Sequence, residues 1–326
     1  MSAGGAAGGD AAAGELMGVV LAAGKGTRMR PFSEHWPKPI LPVLGKPLMA
    51  YQLEMMAGLG IRSVVVVIGH LGHEVVRTLG DGSRFGVRIT YVEQEETLGI
   101  AHAVSRLEQH VDRPFFLFLG DIFFATENLG SMVERFRERS LGGVLACKRE
   151  PDRDAIKRNF VVLTDERGVV HRVIEKPRHP RTDLKGCGIY LFDVTFFDAV
   201  RRTPRTAMRN EYEITDSIQI FLDDGYAVEA AEVVRDDMNV SYPADLLELN
   251  LGLLGATGQT NYIGADVQSA GDSTLRGCVA MDGARIGANV HLTDCLLFPN
   301  AVVPDGRAVA RSIFTPEDEI RCASGG

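Results

Sequence analysis

The residues best suited to chemistry lie in a segment rich in glycine and basic side chains, residues 17–42. Its apolar start, residues 18–22, predicts a buried strand. The turn that follows holds small, basic and hydroxyl side chains: Ala23, Gly24, Lys25, Gly26, Thr27, Arg28 and Arg30. Glycines let backbone N–H groups converge on an anion, and nearby cations neutralise its charge. Lys38 follows between two prolines, and the whole segment predicts a loop that holds a polyphosphate.

Two common phosphate-binding loops do not fit this spacing. The ATPase loop needs G-x-x-x-x-G-K-[ST], but Gly24 and Gly26 are too close together and no Lys-Thr pair follows at the required place. The dinucleotide loop needs G-x-G-x-x-G, and Met29 stands where its third glycine should be. The missing glycine disfavours a nicotinamide-dependent oxidoreductase, a function that a cofactor-binding experiment tests.

The segment resembles the signature of the sugar-1-phosphate nucleotidylyltransferase family, L-x-x-G-x-G-T-R-[LM] followed by P-K-P. Both parts are complete here, at residues 21–29 and 37–39. The resemblance is to glucose-1-phosphate thymidylyl- and uridylyltransferases, and it extends over residues 17–250. It implies that Arg28 holds the β- and γ-phosphates of a nucleoside triphosphate and that Lys38 holds the α-phosphate. The nucleotide-binding loop that it implies consists of Leu21, Ala22, Ala23, Gly24, Lys25, Gly26 and Thr27.

Charge and composition narrow the class of partner. The net charge of −8 argues against a nucleic-acid polymer, which needs a basic face, and suits a small anionic ligand. No apolar run approaches the ~20 residues needed to span a bilayer, so no membrane partner is expected. Five widely spaced cysteines form neither a disulfide framework nor a C-x-x-C metal site, which favours a reduced, cytoplasmic protein.

Alternating strand-like and helix-like segments predict the fold of the first part of the chain. Apolar runs at residues 64–68 and 115–119 indicate central strands buried on both faces, and residues 48–59 and 99–110 are predicted helices. The alternation predicts an α/β fold with a doubly wound mixed sheet of the Rossmann-like type. Ligands bind at the carboxyl ends of strands in such sheets. We therefore expect the glycine loop and Gly120-Asp121 to face one site.

The pattern changes after residue 261. Apolar residues recur there at a spacing of six: Ala284, Val290, Leu296, Val302, Ala308 and Phe314. This spacing is typical of the hexapeptide repeats of a β-helix, here a short left-handed one of about three coils. So short a solenoid is expected to dock on the catalytic domain or on a second subunit, and a homo-oligomer is expected. The predicted domains are a flexible leader (1–15) without the basic start of a signal peptide, a nucleotidyltransferase domain (16–250), a linker (251–260) and the β-helix with its tail (261–326).

A carboxylate at the end of a predicted strand supplies a candidate metal ligand. Asp121 closes the run PFFLFLGD, and a carboxylate there suits Mg²⁺, which bridges carboxylates to substrate phosphates. In the resembled family this aspartate binds the metal. The family pattern D-x-G-T-P-E-D-L aligns with residues 239–246 and implies Asn239 as the second ligand, through its amide oxygen. Asp237 is the alternative second ligand.

The candidate base-reading residues are Gln94 and Gly99. A glutamine amide offers both a donor and an acceptor, so it can pair with the N3–H and a carbonyl of a pyrimidine. Glycine permits close backbone approach at the start of a helix. In uridylyl- and thymidylyltransferases of the resembled family, a glutamine and a glycine at this spacing read the base. The resemblance therefore implies UTP or dTTP as the nucleotide, in preference to GTP.

The resemblance also implies a sugar-binding side. Its E-K-P tripeptide matches Glu175-Lys176-Pro177, with the glutamate on the sugar hydroxyls and Lys176 on the sugar phosphate. The run KGCGIYLF, which contains Gly188, resembles the strand that closes the sugar pocket. In NEYEITDSIQ, Glu211 or Glu213 is implied as a sugar contact, and Thr215-Asp216 is predicted to open a helix.

The chain departs from the family at Phe160. Relatives often have Tyr-Gly-Val-Val where this chain has Asn-Phe-Val-Val. A phenylalanine in place of glycine is expected to reshape that side of the sugar pocket, so plain glucose 1-phosphate is not an assured substrate.

The sequence thus predicts a Mg²⁺-dependent enzyme that joins a nucleoside triphosphate and a sugar 1-phosphate and releases pyrophosphate. The catalytic residues implied are Arg28, Lys38 and Lys176. Two different functions stay open. One is an enzyme that uses GTP or ATP with mannose 1-phosphate, a modified sugar or a cyclitol phosphate. The second is a non-catalytic homologue that binds nucleotide sugars, against which the intact set of charged motif residues argues.

Overall fold

The computed structural model describes residues 16–207 and 210–322, so the predicted leader, residues 1–15, lies outside the described residues. Two compact units divide the described chain. The larger unit contains the residues up to Lys25 together with Ala50–Asp237. The smaller unit contains Gly26–Met49 together with the residues from Met238 onward.

The elements up to residue 257 alternate between strands and helices. The strands are β1 (Met17–Ala22), β2 (Pro42–Val43), β3 (Lys46–Pro47), β4 (Ser63–Ile68), β5 (Arg88–Glu93), β6 (Phe115–Leu119), β7 (Ile122–Thr126), β8 (Gly143–Arg149), β9 (Phe160–Thr164), β10 (Val170–Glu175), β11 (Leu184–Phe192), β12 (Val228–Glu232) and β13 (Val234–Asn239). The helices are α1 (Leu48–Gly58), α2 (Gly72–Leu79), α3 (Ile100–Ser105), α4 (Gly130–Glu138), α5 (Arg153–Ile156), α6 (Phe196–Arg202), α7 (Ile214–Asp223) and α8 (Pro243–Thr257).

The larger unit is built on a nine-stranded mixed sheet. Its main path runs β10-β9-β11-β6-β1-β4-β5, with β8 pairing to β11 and β12 pairing to β8. β1 is parallel to both β4 and β6, and β4 is parallel to β5. β11 is antiparallel to β6, β8 and β9. The order of strands reverses beside β1, because the chain proceeds from β1 outward through β4 and β5 and then returns to β6. The predicted doubly wound α/β fold is confirmed.

The central strands are buried on both faces, as their apolar runs predict. Val19 and Val20 point to opposite faces of β1, and both are fully buried. The predicted strands at 64–68 and 115–119 are confirmed as β4 and β6. The predicted helix at 48–59 is confirmed as α1, which ends one residue earlier.

The predicted helix at 99–110 is wrong in its length. Regular α-helical structure ends at Ser105, whose hydroxyl donates to the carbonyl of His102 over 2.8 Å. A serine hydroxyl that bonds back to a helix carbonyl weakens the helix. The chain beyond continues as tight turns with bonds three residues apart, such as the one from the Leu107 N–H to the Val104 carbonyl (2.9 Å).

The predicted β-helix is present in the smaller unit as three parallel sheets. Its strands are β14 (Tyr262–Ile263), β15 (Gln268–Ser269), β16 (Thr274–Arg276), β17 (Val279–Ala280), β18 (Arg285–Ile286), β19 (His291–Thr293), β20 (Leu296–Leu297), β21 (Val302–Val303), β22 (Ala308–Ala310), β23 (Ser312–Phe314) and β24 (Glu319–Arg321). The sheets are β14-β17-β20-β23, β15-β18-β21 and β16-β19-β22, and β24 closes the first sheet in antiparallel orientation. The described strands form three coils, as predicted.

The predicted spacing of six is wrong over the length of the β-helix. Every parallel partner lies 17 residues away, as in Tyr262↔Val279 and Val279↔Leu296. A coil therefore contains two steps of six residues and one of five. Ala284 and Val290 are fully buried, as a spacing of six predicts, but Val302 is 53% exposed because the predicted frame is by then one residue out of register.

Helix α8 replaces most of the predicted linker at residues 251–260. It continues to Thr257, because four leucines within 246–254 are buried on the smaller unit and hold the helix in place. Buried Asn250 ties the helix to the β2–β3 hairpin, since its amide donates to the Pro42 carbonyl (3.2 Å) and accepts from the Leu44 N–H (2.9 Å). The ring of Phe298 stacks on Phe32 at 5.3 Å between centroids. Within the described ranges, every helix is too short or too polar to cross a bilayer.

Candidate active site

The first half of the glycine motif lies at the carboxyl end of β1, between two neighbouring strand ends. A Cβ atom on Gly69, after β4, would lie 2.7 Å from the carbonyl oxygen of Ala23. A Cβ on Gly120, after β6, would lie 2.7 Å from the carbonyl oxygen of Leu21, and the Gly120 N–H donates to that oxygen over 2.9 Å. The absence of side chains at both positions lets the loop backbone pass between them. Gly24 and Lys25 follow. A Cβ atom on Gly24 would have no neighbour within 4 Å, and the Lys25 side chain is exposed.

The second half of the motif belongs to the smaller unit. Gly26 has a φ of 59°, a conformation that favours glycine, and a Cβ there would lie 3.2 Å from Cγ of Lys38. Thr27–Met29 forms a 3₁₀ turn that leaves Arg28 exposed. The Arg28 guanidinium lies over the ring of Tyr242, with Cζ 5.7 Å from the centroid, within the range of a cation–π contact. Gly26, Arg28 and Lys38 are thus brought together within one unit.

Asp121 follows Gly120 in the turn between β6 and β7, and it is half-buried. The amide of Gln52 on α1 holds this turn, because its Nε2 donates to the carbonyls of Leu119 and Ile122, each over 2.8 Å. Gln52 is 1% exposed, and its Oε1 has no hydrogen-bond partner within residues 16–207 and 210–322. A buried acceptor without a partner costs ~1–3 kcal/mol. Gln52 therefore holds the turn with both amide hydrogens while its own acceptor stays unsatisfied.

Gln94 lies just beyond β5 and is almost fully buried. Its N–H donates to the carbonyl of Ile68 at the end of β4 over 2.8 Å. Its side-chain Nε2 lies 2.8 Å from the carbonyl oxygen of Glu96 and 2.9 Å from Nδ1 of His102. The predicted base-reading residue is therefore fixed at the same sheet edge as the glycine loop.

Gly99 joins the predicted base side to the predicted sugar segment. Its φ is 109°, and a Cβ there would lie 2.5 Å from the carbonyl oxygen of Tyr212. The Tyr212 N–H donates to the Leu98 carbonyl (2.8 Å), and the Ala101 N–H donates to the Tyr212 carbonyl (3.0 Å). The Tyr212 ring also stacks on His102 at 6.0 Å between centroids. Tyr212 lies between Glu211 and Glu213 in the sequence. Its two backbone hydrogen bonds therefore connect the predicted base side to the predicted sugar side.

The predicted sugar-side residues come from β10, β11 and the start of α7. Lys176 has a φ of 43°, which is rare for a residue other than glycine, and its Nζ lies 3.5 Å from Oε1 of Glu175. Gly188 has a φ of 79° at an irregularity of β11, and a Cβ there would lie 2.9 Å from the side chain of Leu119. Backbone strain of this kind concentrates at functional sites.

Of the two candidate glutamates, Glu213 is buried as the residue that precedes α7, and Glu211 is exposed. The predicted helix opening at Thr215-Asp216 is confirmed, with the first helical residue one position earlier. A polar pocket of 620 Å³ lies beside Glu175 and is lined also by Thr215 and Asp216. Burial and then the Glu213 charge raise the pKa of Asp216.

Phe160 does not project into open space. It is 7% exposed and stacks on Tyr190 at 6.2 Å between ring centroids. Both residues belong to the main apolar core of the larger unit. Burial, and then the Glu175 charge, raises the pKa of the Tyr190 phenol well above its ordinary value. The ring that replaces the family's glycine is thus directed into the core.

Asn239 and Asp237 differ in their surroundings. Asn239 is exposed at the end of β13, and its Oδ1 accepts from the hydroxyl of Ser241 over 3.2 Å. The Asp237 carboxylate is 7% exposed and is held by Nζ of Lys185 (2.8 Å to each oxygen) and by Nζ of Lys148 (3.0 Å). Burial opposes the charge of Lys148, but hydrogen bonds to Asp237 and then Asp236 outweigh it and raise the pKa of Lys148. Two lysines thus neutralise the charge of Asp237.

Several residues that matter to this geometry are not identified as site residues by the sequence motifs, although Lys185 and Tyr242 lie within matched segments. They are Gln52, His102, Lys148, Lys185 and Tyr242. Gln52 lies among apolar helix residues and His102 three residues after Gly99, and only the fold brings each of them to a motif residue. Within the part of the chain that the structure describes, no group of three or more His, Cys, Asp or Glu side chains is arranged to hold a metal ion.

The candidate residues of the larger unit follow the order of the strands along one edge of the sheet. Gln94 lies beyond β5, the glycine loop beyond β1 and Asp121 beyond β6, at the carboxyl ends of parallel strands. Strand β10 runs in the opposite direction, and its last residue, Glu175, pairs with Phe160 at the start of β9, which places Lys176 beside the same edge. Ligands of such sheets bind outside the carboxyl ends, where the strand order reverses. A doubly wound sheet with a glycine loop at that point defines a nucleotide-handling α/β enzyme. The chain belongs to the nucleotidyl transferase family, whose model matches residues 17–250.

Three curated relatives agree with this family. Two come from Haloferax volcanii. The chain is 36% identical over 237 residues to the low-salt glycan biosynthesis nucleotidyltransferase Agl11, covering 72% of this chain and 65% of the relative. It is 36% identical over 230 residues to the UTP–glucose-1-phosphate uridylyltransferase AglF, covering 71% of this chain and 93% of the relative. It is 32% identical over 308 residues to a glucose-1-phosphate thymidylyltransferase of Streptomyces antibioticus, covering 91% and 85%.

Proposed function

We propose that this chain transfers a uridylyl or thymidylyl group from UTP or dTTP to a sugar 1-phosphate and releases pyrophosphate. One observation carries the proposal, which is the order of base-side, phosphate-side and sugar-side residues along one sheet edge of the larger unit. A nucleoside triphosphate laid along that edge has its base at Gln94 and its phosphates at the glycine loop. The sugar 1-phosphate then approaches from the side of Lys176. The relatives named for uridylyl and thymidylyl transfer to glucose 1-phosphate support the same reaction.

In the proposed reaction, a phosphate oxygen of the sugar 1-phosphate attacks the α-phosphorus of the triphosphate. A new P–O bond forms, and the bond between the α-phosphorus and the bridging oxygen to the β-phosphate breaks, so pyrophosphate leaves with that oxygen. The attacking oxygen is already ionised at neutral pH, so no general base is needed. Catalysis then depends on positioning and on neutralising charge at the α-phosphate.

Each basic residue has one phosphate to neutralise in this scheme. Arg28 holds the β- and γ-phosphates, and its contact with Tyr242 limits the orientations of its guanidinium. Lys38 holds the α-phosphate. Lys176 holds the sugar phosphate, and the strained backbone at Lys176 supports a role in which the direction of the side chain matters.

The oxygen donors of Asp121 and Asn239 suit Mg²⁺, which binds through one or two protein oxygens and takes its remaining ligands from phosphates and water. The turn that Gln52 holds supports Asp121 as the principal ligand. We propose Asn239 as the second ligand, because two lysines already neutralise Asp237. When bound, the ion neutralises phosphate charge as a Lewis acid.

We propose that Gln94 and Gly99 contact the base, and that Glu175, Gly188 and Glu211 line the sugar side. Glu213 is the alternative to Glu211. Of these sugar-side residues only Glu175 lines the neighbouring pocket, so the proposal does not fix which sugar 1-phosphate is bound.

The proposal includes a reducing, cytoplasmic setting and a homo-oligomer. All five cysteines are free and buried thiols, which supports a reducing compartment. The homo-oligomer is proposed because so short a solenoid buries little core of its own. Light scattering on the full chain tests the homo-oligomer.

The function is tested by incubating the full chain with Mg²⁺, each of five nucleoside triphosphates and a panel of sugar 1-phosphates. Label at the α-phosphate must appear in a nucleotide sugar in step with pyrophosphate release. UTP or dTTP should exceed GTP by at least roughly tenfold in kcat/KM, as a hydrogen-bonded base site predicts. Preference for GTP or ATP would support the alternative nucleotide, and nucleotide-sugar binding without turnover would support a non-catalytic homologue. Asp121→Ala serves as the inactive control.

A further inference from the structure

The side chain of Gln94 has both of its amide hydrogens committed within the protein. Nε2 lies 2.8 Å from the carbonyl oxygen of Glu96 and 2.9 Å from Nδ1 of His102. A backbone carbonyl can only accept a hydrogen bond, so the side-chain atom nearest to Glu96 must be the nitrogen. That assignment directs the remaining hydrogen of the NH₂ group to His102.

Nδ1 of His102 must then be an acceptor. A neutral imidazole carries one hydrogen, so the hydrogen of His102 lies on Nε2. Burial, and then the Arg106 charge, lowers the pKa of His102 below its ordinary value, which favours this neutral form. The imidazole also stacks on the ring of Tyr212, with 6.0 Å between the ring centroids. This stacking fixes the orientation of the imidazole plane.

We propose that His102 is a specificity-determining positioning residue, which takes the second amide hydrogen of Gln94 and leaves only the carbonyl oxygen Oε1 to face the base. Within residues 16–207 and 210–322, no protein group bonds to that Oε1. The inference rests on the proposed role of Gln94 in reading the base. It also revises the prediction from sequence, in which Gln94 offers both a donor and an acceptor.

The consequence is a specific rule for the base. An acceptor selects a base with N–H on its pairing edge, which uracil and thymine have at N3 and guanine has at N1, so this acceptor by itself discriminates against cytosine and adenine and not against guanine. Cytosine and adenine have an unprotonated ring nitrogen at the equivalent place, so two lone pairs would face each other. A buried polar group left unpaired costs ~1–3 kcal/mol, or about 5- to 150-fold in binding. His102, acting through Gln94, should therefore make the protein prefer UTP and dTTP to CTP.

The decisive variant is His102→Phe, which keeps an aromatic ring against Tyr212 and removes the acceptor. The amide of Gln94 then has one hydrogen without a partner and keeps only its bond to the Glu96 carbonyl, so Oε1 is held less firmly toward the base. We expect the ratio of UTP to CTP in kcat/KM to fall by about tenfold, with the KM for sugar 1-phosphate unchanged. His102→Gln, whose amide oxygen can accept the same hydrogen, should restore part of the ratio.

A matched control is His291→Phe. Nδ1 of His291 also bonds to a side chain, the hydroxyl of Thr274 at 2.8 Å, on the exposed surface of the β-helix. This variant removes an imidazole hydrogen bond away from the base-reading residues, so it should leave the ratio of UTP to CTP unchanged.

Calorimetric binding of UDP and CDP to the full-length variants gives a readout that does not need turnover. If the wild-type chain binds neither nucleotide, or binds both equally, the proposed function of Gln94 fails. If the wild-type chain prefers UDP and Gln94→Leu loses that preference while His102→Phe keeps it, the role of His102 fails and the base assignment stands. Thermal unfolding of each variant separates either result from a loss of fold.

Discussion

The ring of Phe160 occupies the space that any side chain on Gly186 would need. A Cβ atom on Gly186 would lie 1.9 Å from Cζ of Phe160, well inside contact distance. The two residues lie on neighbouring strands, β9 and β11, and the ring continues inward to stack on Tyr190. The departure from the family's glycine at Phe160 is thus matched by a glycine on the next strand.

Gly186→Ala should destabilise the fold by about 1–3 kcal/mol, because the added methyl group overpacks a core that cannot expand. Urea denaturation measures the change in the free energy of unfolding. Phe160→Ala makes room for that methyl group, so the double variant should lose less stability than the sum of the two single variants. Strict additivity of the two losses would show that the two positions do not interact.

Arg28→Ala should lower kcat by ~10²–10³-fold, the usual loss when one charge contact to a transition state is removed. Stability should not change, because the Arg28 side chain is exposed. Arg84→Ala is the matched control, since the guanidinium of Arg84 also lies over an aromatic ring, that of Phe85 at 4.6 Å. A near-normal kcat for Arg28→Ala removes this residue from the mechanism.

Gln52→Leu should raise the Mg²⁺ concentration needed for half-maximal rate, since it removes both hydrogen bonds that hold the turn of Asp121. Asp121→Asn sets the scale for the loss of a direct ligand and should have the larger effect. The rate is measured against Mg²⁺ concentration at saturating substrates. If Gln52→Leu lowers stability but leaves the Mg²⁺ dependence unchanged, Gln52 only packs the core.

Lys176→Ala should raise the KM for sugar 1-phosphate more than the KM for the triphosphate. Lys176→Gly should lose activity to the same extent but unfold at a higher denaturant concentration than Lys176→Ala. The reason is the φ of 43° at this position, where a Cβ atom costs about 1–2 kcal/mol. Equal effects on both KM values would contradict the assignment of Lys176 to the sugar phosphate.

Affinity for UTP should depend on pH through His102. Burial and then the Arg106 charge lower the pKa of His102, Arg205 acts in the same direction, and the charge and carbonyl of Glu96 oppose them. Only the neutral imidazole accepts from Gln94. Affinity should therefore be complete above the lowered pKa and fall as the pH drops through it. Calorimetric titration of UTP across this range checks the prediction, and an unchanged acid limb in His102→Phe contradicts it.

Much of the fold follows from local patterns in the sequence. Buried parallel strands are continuous apolar runs, so 64–68 and 115–119 are correct as predicted. The predictions are wrong where the tertiary structure, and not the local pattern, determines where an element ends or how its residues are spaced. Helix α3 ends early at a serine that bonds to its own helix, and the β-helix frame slips because one step in each coil has five residues. Neither of these features breaks the apolar pattern that the predictions use.

Only the candidate site residues that belong to a recognisable motif could be predicted from the sequence. The glycine loop, Asp121, Gln94 and Lys176 stand in recognisable sequence contexts, and four of the strand ends bring them to one edge of the sheet. Gln52 is 69 residues from Asp121 in sequence. Its contact with the turn depends on how α1 packs against β6, which no spacing along the chain reveals.

The 17-residue coil limits how the β-helix can change in length. Side chains of a strand alternate between inside and outside, so one inserted residue would reverse every following side chain within that strand. Aspartate carboxylates that bridge neighbouring coils, such as Asp282 to the N–H of Ala265 and Asp305 to the N–H of Ala288, also span 17 residues. Tandem duplication of a whole coil preserves both features, whereas any shorter insertion breaks them. Evolution of longer or shorter forms of this region should therefore proceed in steps of one coil.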